Sequence, residues 1–224
     1  MTPGIGAWLR DRSLTLVMLA LFAAFLVGQA ITGWYEFNGT LEEHGAAAIP
    51  FTAYLRVGHP WEALFENWES EFLQMAAFVT LTTFLYQKGS PESRRPGTIE
   101  LVDADPRSFA DQEDVPWPVK RGGWVLKIYE HSLGLSLFLL FVASWIGHAI
   151  GGWMDYRGDQ ELHGQTATRL ADYVTSSRFW FESFQNWQSE FLSVAAMVWL
   201  AVYLRQRWSP ESKPVHAPHS DTGR

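Results

Sequence analysis

Cysteine is absent from this sequence. That excludes a disulfide framework, a thiolate zinc site and a cysteine nucleophile. Basic residues are scarce, with 17 Lys and Arg against 24 Asp and Glu, for a formal net charge of −7. So acidic a chain lacks the positive footprint that nucleic-acid binding needs. No glycine-rich phosphate loop, nucleophile elbow or zinc-enzyme helix motif occurs. The expectation is therefore a protein that is not an enzyme.

Charge is also missing from two long stretches. Ser13 to Trp34 and Ser132 to Trp153 contain no charged side chain. The mean hydropathy of −0.07 would suggest a soluble protein, but it averages over this uneven distribution. A bilayer-spanning helix needs roughly 20 mostly apolar residues. The two uncharged runs meet that directly. Phe72 to Tyr86 and Phe191 to Leu204 meet it only if the polar turns ahead of them lie at an interface or face protein. A signal peptide is the alternative for the first run, with Arg10 and Arg12 ahead of it. The run is too long for that, and its pattern recurs deep in the chain.

The charges that are present fall unevenly. If both termini and the central linker share one side, that side holds 13 of the 17 basic residues, and the other only Arg56, Arg157, Arg169 and Arg178. Positive residues favour the cytoplasmic face. The expectation is four spans, both termini cytoplasmic and two acidic loops outside. Trp34, Trp61, Trp153 and Trp180 would form an aromatic belt at the outer interface.

The chain repeats itself at an offset of 119 residues. Between Ser13 and Ser93, 35 of 81 positions are identical to their counterparts without a gap. Asn67-Trp68-Glu69-Ser70-Glu71-Phe72-Leu73 lands on Asn186-Trp187-Gln188-Ser189-Glu190-Phe191-Leu192, and Ser90-Pro91-Glu92-Ser93 on Ser209-Pro210-Glu211-Ser212. A match at fixed period marks a duplicated unit. Each unit holds two spans, so both enter from the same side. The predicted fold is all-α: a membrane four-helix bundle of two parallel helix–loop–helix repeats, related by a pseudo-twofold axis along the membrane normal. Residues 1–87 form the first repeat and 127–208 the second. Residues 88–126 read as a flexible cytoplasmic linker, and 209–224 as a cytoplasmic tail.

These motifs, with Trp117-Pro118-Val119-Lys120-Arg121-Gly122-Gly123-Trp124 and Ser177-Arg178-Phe179-Trp180-Phe181-Glu182-Ser183-Phe184-Gln185-Asn186-Trp187, resemble a family of uncharacterised bacterial four-helix integral membrane proteins catalogued as a domain of unknown function. The resemblance covers nearly the whole chain. It implies a bacterial plasma membrane protein and supplies no activity.

Several residues could carry chemistry. Asn67, Ser70, Glu71 and Gln74 form a polar stripe at helical spacing, repeated by Asn186, Ser189, Glu190 and Ser193. In lipid such a stripe faces the bundle interior, water or a partner. It reads either as an outward acidic vestibule or as capping, with Asn67 as the cap. Glu42 with His44, and Glu161 with His163, could hold a divalent metal; the glycine after each histidine points instead to a helix end. Gln29 and His148 are matched intramembrane polar residues, read as an interhelical hydrogen bond. His59 and His131 have no histidine counterpart and read as surface residues. Ala24, Gly28 and Thr32, with Ala143, Gly147 and Gly151, read as helix-packing stripes.

The leading functional expectation is a non-catalytic scaffold or interaction protein, without cofactor. Its partners would be the lipid bilayer, other proteins or further copies of itself, and no nucleic acid. The alternative is a small transporter, channel or metal-binding protein that uses the vestibule.

Overall fold

The computed structural model describes residues 4–95 and 97–223. Pro96 and the extreme ends of the first repeat and the tail lie outside them. Nine α-helices occur among the described residues, and no strand. In order they are α1 (Ile5–Asp11), α2 (Ser13–Glu43), α3 (Phe51–Tyr54), α4 (His59–Leu81), α5 (Trp117–Arg121), α6 (Gly123–Glu130), α7 (Ser132–Leu162), α8 (Leu170–Val174) and α9 (Ser177–Tyr203). Two 3-10 turns, Leu101–Asp103 and Pro106–Phe109, precede α5.

Two helices, α2 and α7, are long and apolar enough to cross a membrane. Each has 31 residues and rises about 46 Å at 1.5 Å per residue, more than the ~30 Å hydrocarbon layer. Their last turns carry the acidic residues. None of the most apolar window of α2 is buried. An all-apolar helix with its surface bare needs lipid or another apolar surface around it.

The ends of α2 and α7 are made alike. Gly45 and Gly164 take φ of +72° and +64°, a left-handed conformation that suits glycine. Gly45 N–H donates to Glu42 O and Ala46 N–H to Leu41 O. Gly164 and Gln165 do the same toward Glu161 and Gln160. Each set is a Schellman closure, so the glycine after each histidine does end a helix. The α9 start is capped by Ser176 Oγ, which accepts from Phe179 N–H.

The chain divides into two compact units. The first comprises the residues up to Leu64 with Ala149–Val174, and the second Phe65–His148 with the residues from Thr175 on. In the first unit, contacts recur 119 residues apart. Trp34 Nε1 donates to Ile49 O, and Trp153 Nε1 to Thr168 O, both at 2.8 Å. Tyr54 and Tyr173 are fully buried, and their hydroxyls occupy the space where a Cβ on Gly33 or Gly152 would stand. The return chain is pinned by an amide in each case. Asn38 bridges Ile49 N–H and O, and Gln160 bridges Thr168 N–H and Oγ1.

In the second unit the Ser-Pro-Glu-Ser motifs form matching turns. Ser93 Oγ accepts from Gln87 N–H and Ser212 Oγ from Gln206 N–H. Ser90 and Ser209 accept from Glu92 and Glu211 N–H. Gly89 at the start of the first turn has φ +88°; its counterpart Trp208 holds the same left-handed region at +69°. The tail folds onto the first of these turns, with Gly89 N–H donating to Thr222 Oγ1 and Gly223 N–H to Ser90 O.

The small-residue stripe packs in α7 only, at Gly147 and Gly151, while Ala143 is exposed. A Cβ on Gly147 would lie 2.5 Å from the Phe65 ring, and one on Gly151 would lie 2.7 Å from Glu62 N. Ala24, Gly28 and Thr32 are exposed, and Gly28 has open space around it. The packing glycine of α2 is Gly33.

Candidate functional site

The most unusual chemistry lies within the second unit, on helices α4, α7 and α9. Span-like α7 carries one ionisable residue in its apolar half, His148, and solvent does not reach it. His148 Nδ1 lies 2.9 Å from Glu69 Oε2, and Glu69 is likewise at 0% exposure. A carboxylate accepts, so Nδ1 carries the hydrogen and donates. The other Glu69 oxygen accepts from Trp187 Nε1–H at 3.1 Å. On the far side of the ring, Glu182 Oε2 lies 3.7 Å from His148 Nε2. Arg178 Nε donates to Glu182 at 2.9 Å, one helical turn back. Asn186 Nδ2 donates to Glu66, next to the pair on α4. Phe179 packs its ring 4.8 Å from the imidazole, and Trp145 packs on Phe179.

The cluster is thus an imidazole between carboxylates from two helices, walled by aromatic rings. Burying a carboxylate or an imidazolium is costly unless each is paired and hydrogen-bonded. Here both oxygens of Glu69 are bonded. Glu69, His148 and Glu182 join three helices; the Glu69 contact is a hydrogen bond, whereas Glu182 stands beyond hydrogen-bonding distance of Nε2, which has no hydrogen-bond partner among the described residues. An imidazole can accept a proton at one nitrogen and give one up at the other.

Of the polar stripe, the structure leaves Asn67, Glu71, Ser189 and Ser193 exposed, buries Ser70, and half-buries Gln74, Asn186 and Glu190. α4 runs unbroken from His59, so Asn67 sits within the helix and does not cap it. The serine hydroxyls bond to their own helices: Ser70 to Asn67 O, Ser189 to Asn186 O and Ser193 to Glu190 O. Glu71 and Glu190 come near enough for their charges to act on each other. Asn186 alone joins the buried cluster.

Gln29 and His148, matched in sequence, part company. His148 makes the interhelical bond, whereas Gln29 is exposed and lines an apolar cavity of about 240 Å³ with Leu26, Gly33, Tyr54 and Trp61. His59 is not a surface residue. Its Nδ1 accepts from the Tyr54 hydroxyl at 2.9 Å and its Nε2 meets Glu36 at 3.1 Å. Burial, and then the charges of Glu36 and Asp155, push the Tyr54 phenol up to about 12.

His44 and His163 come together, with Nε2 atoms 3.3 Å apart. Glu161 turns instead to Arg157, at 3.7 Å. Among the described residues no carboxylate, Glu42 included, completes a three-ligand group with the two histidines.

Glu66, Glu69 and Glu182 were not among the residues that sequence reasoning selected. A signal existed, since Glu62, Glu66 and Glu69 recur at intervals of four and three along one face of α4.

A family described as a domain of unknown function, DUF6766, matches residues 5–224. No curated protein and no solved structure matches the chain.

Proposed function

The chain belongs to the DUF6766 family, and we propose that it is a four-span integral membrane protein, a small channel or transporter whose buried Glu69–His148–Glu182 cluster takes up a proton and passes it on across the bilayer. The observation that carries this reading is the hydrogen-bonded Glu69–His148 pair at 0% exposure, beside a stretch of α7 otherwise free of charge. Ionisable groups at membrane depth are expensive and tend to mark ion or proton pathways. A bundle that only had to hold together would be as stable with apolar side chains in these places.

In this reading α2, α4, α7 and α9 all span. The 23 residues of α4 and the 27 of α9 exceed the roughly 20 needed. The two halves are parallel repeats about an axis along the membrane normal, supported by the recurring tyrosine, tryptophan and serine-turn contacts. Both termini lie on the cytoplasmic face of a bacterial plasma membrane, supported by the 13-to-4 division of basic residues. Lipid covers the exposed apolar face of α2. In this reading the cluster moves a proton and catalyses no reaction.

The test is flux. Purified chain in liposomes that trap a pH indicator should admit protons under an imposed potential. Glu69→Gln and His148→Gln should each slow entry at least tenfold. Wild-type liposomes no faster than empty ones would overturn the transport reading and leave the scaffold reading in its place. A reporter joined after residue 224 should be active only in the cytoplasm; periplasmic activity would overturn the topology.

A further inference from the structure

The ends of α2 and α7 bring two histidines together in a way their hydrogen bonds restrict. His44 Nδ1 lies 2.8 Å from Thr40 O, and His163 Nδ1 lies 2.8 Å from Asp159 O. A backbone carbonyl can only accept. Each Nδ1 therefore carries the hydrogen, and each neutral ring keeps its lone pair on Nε2. Those two Nε2 atoms are the ones 3.3 Å apart. Two lone pairs at that distance repel, and a cation between them removes the repulsion.

The distance also fits a particular cation. Imidazole nitrogens bind zinc at about 2.0–2.1 Å, and at a tetrahedral angle two of them stand about 3.3–3.4 Å apart. The ring orientation agrees. An in-line N–H···N bond would separate the ring centroids by 3.3 Å plus two ring radii. The centroids are only 4.8 Å apart, with the planes at 73°. The rings are bent, as two imidazoles directed at one shared point would be.

The helix-end reading and the metal reading are thus compatible. The free carbonyls of each helix end hold Nδ1–H, which fixes the tautomer that presents Nε2. Metal-binding histidines commonly have such a partner on the second nitrogen. The preceding residues add negative charge, with Asp159 Oδ1 3.3 Å from His163 Nδ1.

We propose that His44 and His163 form a binding site for one divalent transition-metal ion of the zinc class, with water in the remaining positions. Imidazole pairs suit zinc, copper and nickel and do not suit magnesium or calcium. The site lies at the helix ends, apart from the His148 cluster, and stands or falls independently of the transport reading. The bound ion would staple the end of α2 to the end of α7 across 119 residues of sequence.

Zinc titration of the metal-stripped full chain in detergent, against a chromophoric chelator, tests this. Wild type should bind one zinc per chain at pH 7.5. His44→Asn and His163→Asn should each weaken binding at least tenfold, whereas His131→Asn should leave it unchanged. Cobalt(II) should give the intense visible bands of a tetrahedral site. All these positions are exposed, and circular dichroism checks that each variant keeps its helices. No zinc uptake by wild type, the result expected if the rings share only a proton, would overturn the proposal. So would equal uptake by wild type and the His44→Asn, His163→Asn double variant.

Discussion

His148 donates through Nδ1 to Glu69 Oε2 across 2.9 Å, and neither side chain is reached by solvent. Removing one partner strands the other as a buried group without its mate. Glu69→Leu or His148→Leu should each cost about 3–5 kcal/mol. The double variant should cost less than either single one, because the buried ions leave together. Denaturant unfolding in detergent, run as a double-mutant cycle, measures this. Additive costs would mean that the pair is not energetically coupled.

The helical frame was legible in the sequence, and the cluster built on it was not. Helix positions, helix ends and the serine turns follow from periodicity, glycine after the last turn and a fixed 119-residue offset. The cluster sits where the copies differ. His148 answers to Gln29, Glu69 to Gln188, Glu66 to Gln185 and Glu182 to Ala63. A search for matched residues favours Glu71 with Glu190 and finds His148 opposite Gln29, but passes over Glu66, Glu69 and Glu182, which match only a neutral side chain. His59 escaped because its counterpart is Arg178 and not a second histidine. Spacing also cannot distinguish a glycine that faces a neighbour from one that faces lipid.

Gly58 and Gly28 make that distinction measurable. A Cβ on Gly58 would run into the α7 backbone at Gly151 O, Met154 C and Asp155 N. Backbone cannot turn aside as a flexible side chain can. Gly58→Ala should destabilise the fold by about 1–3 kcal/mol. Gly28→Ala meets open space within a helix and should stabilise it by about 0.5–1 kcal/mol. Thermal midpoints in detergent should move in opposite directions, and equal shifts would contradict the packing described.

Tyr54 supplies a pH dependence. Its hydroxyl is buried, donates to His59 and stands near the charges of Glu36 and Asp155, which hold the phenol neutral up to about 12. In the unfolded chain it ionises near 10. The folded state therefore keeps a proton that the unfolded state loses. This contribution is fully present below pH 10 and lost between pH 10 and 12. Two units correspond to about 2–3 kcal/mol. Phenolate absorbance should show one tyrosine titrating about two units late, absent in Tyr54→Phe. Normal titration of every tyrosine would remove the argument.

Lys213 closes the tail. Its Nζ donates to the carbonyls of Pro218, His219 and Asp221 at 3.2, 3.0 and 3.0 Å, and only 2% of the residue is exposed. An ammonium has three donors, one for each carbonyl. Arg95 Nε adds a bond to Thr222 O, next to the residues that clasp the first serine turn. Lys213→Met keeps the apolar stem and removes all three donors, leaving three carbonyls to find water. The tail should then open, and protease should cut between 214 and 223 at least tenfold faster while α9 stays intact. Lys213→Arg should not restore protection, because a planar guanidinium cannot direct hydrogens at three carbonyls gathered around one nitrogen. Cleavage at the wild-type rate in Lys213→Met would show that the clasp at Gly89 and Ser90 holds the tail without the lysine.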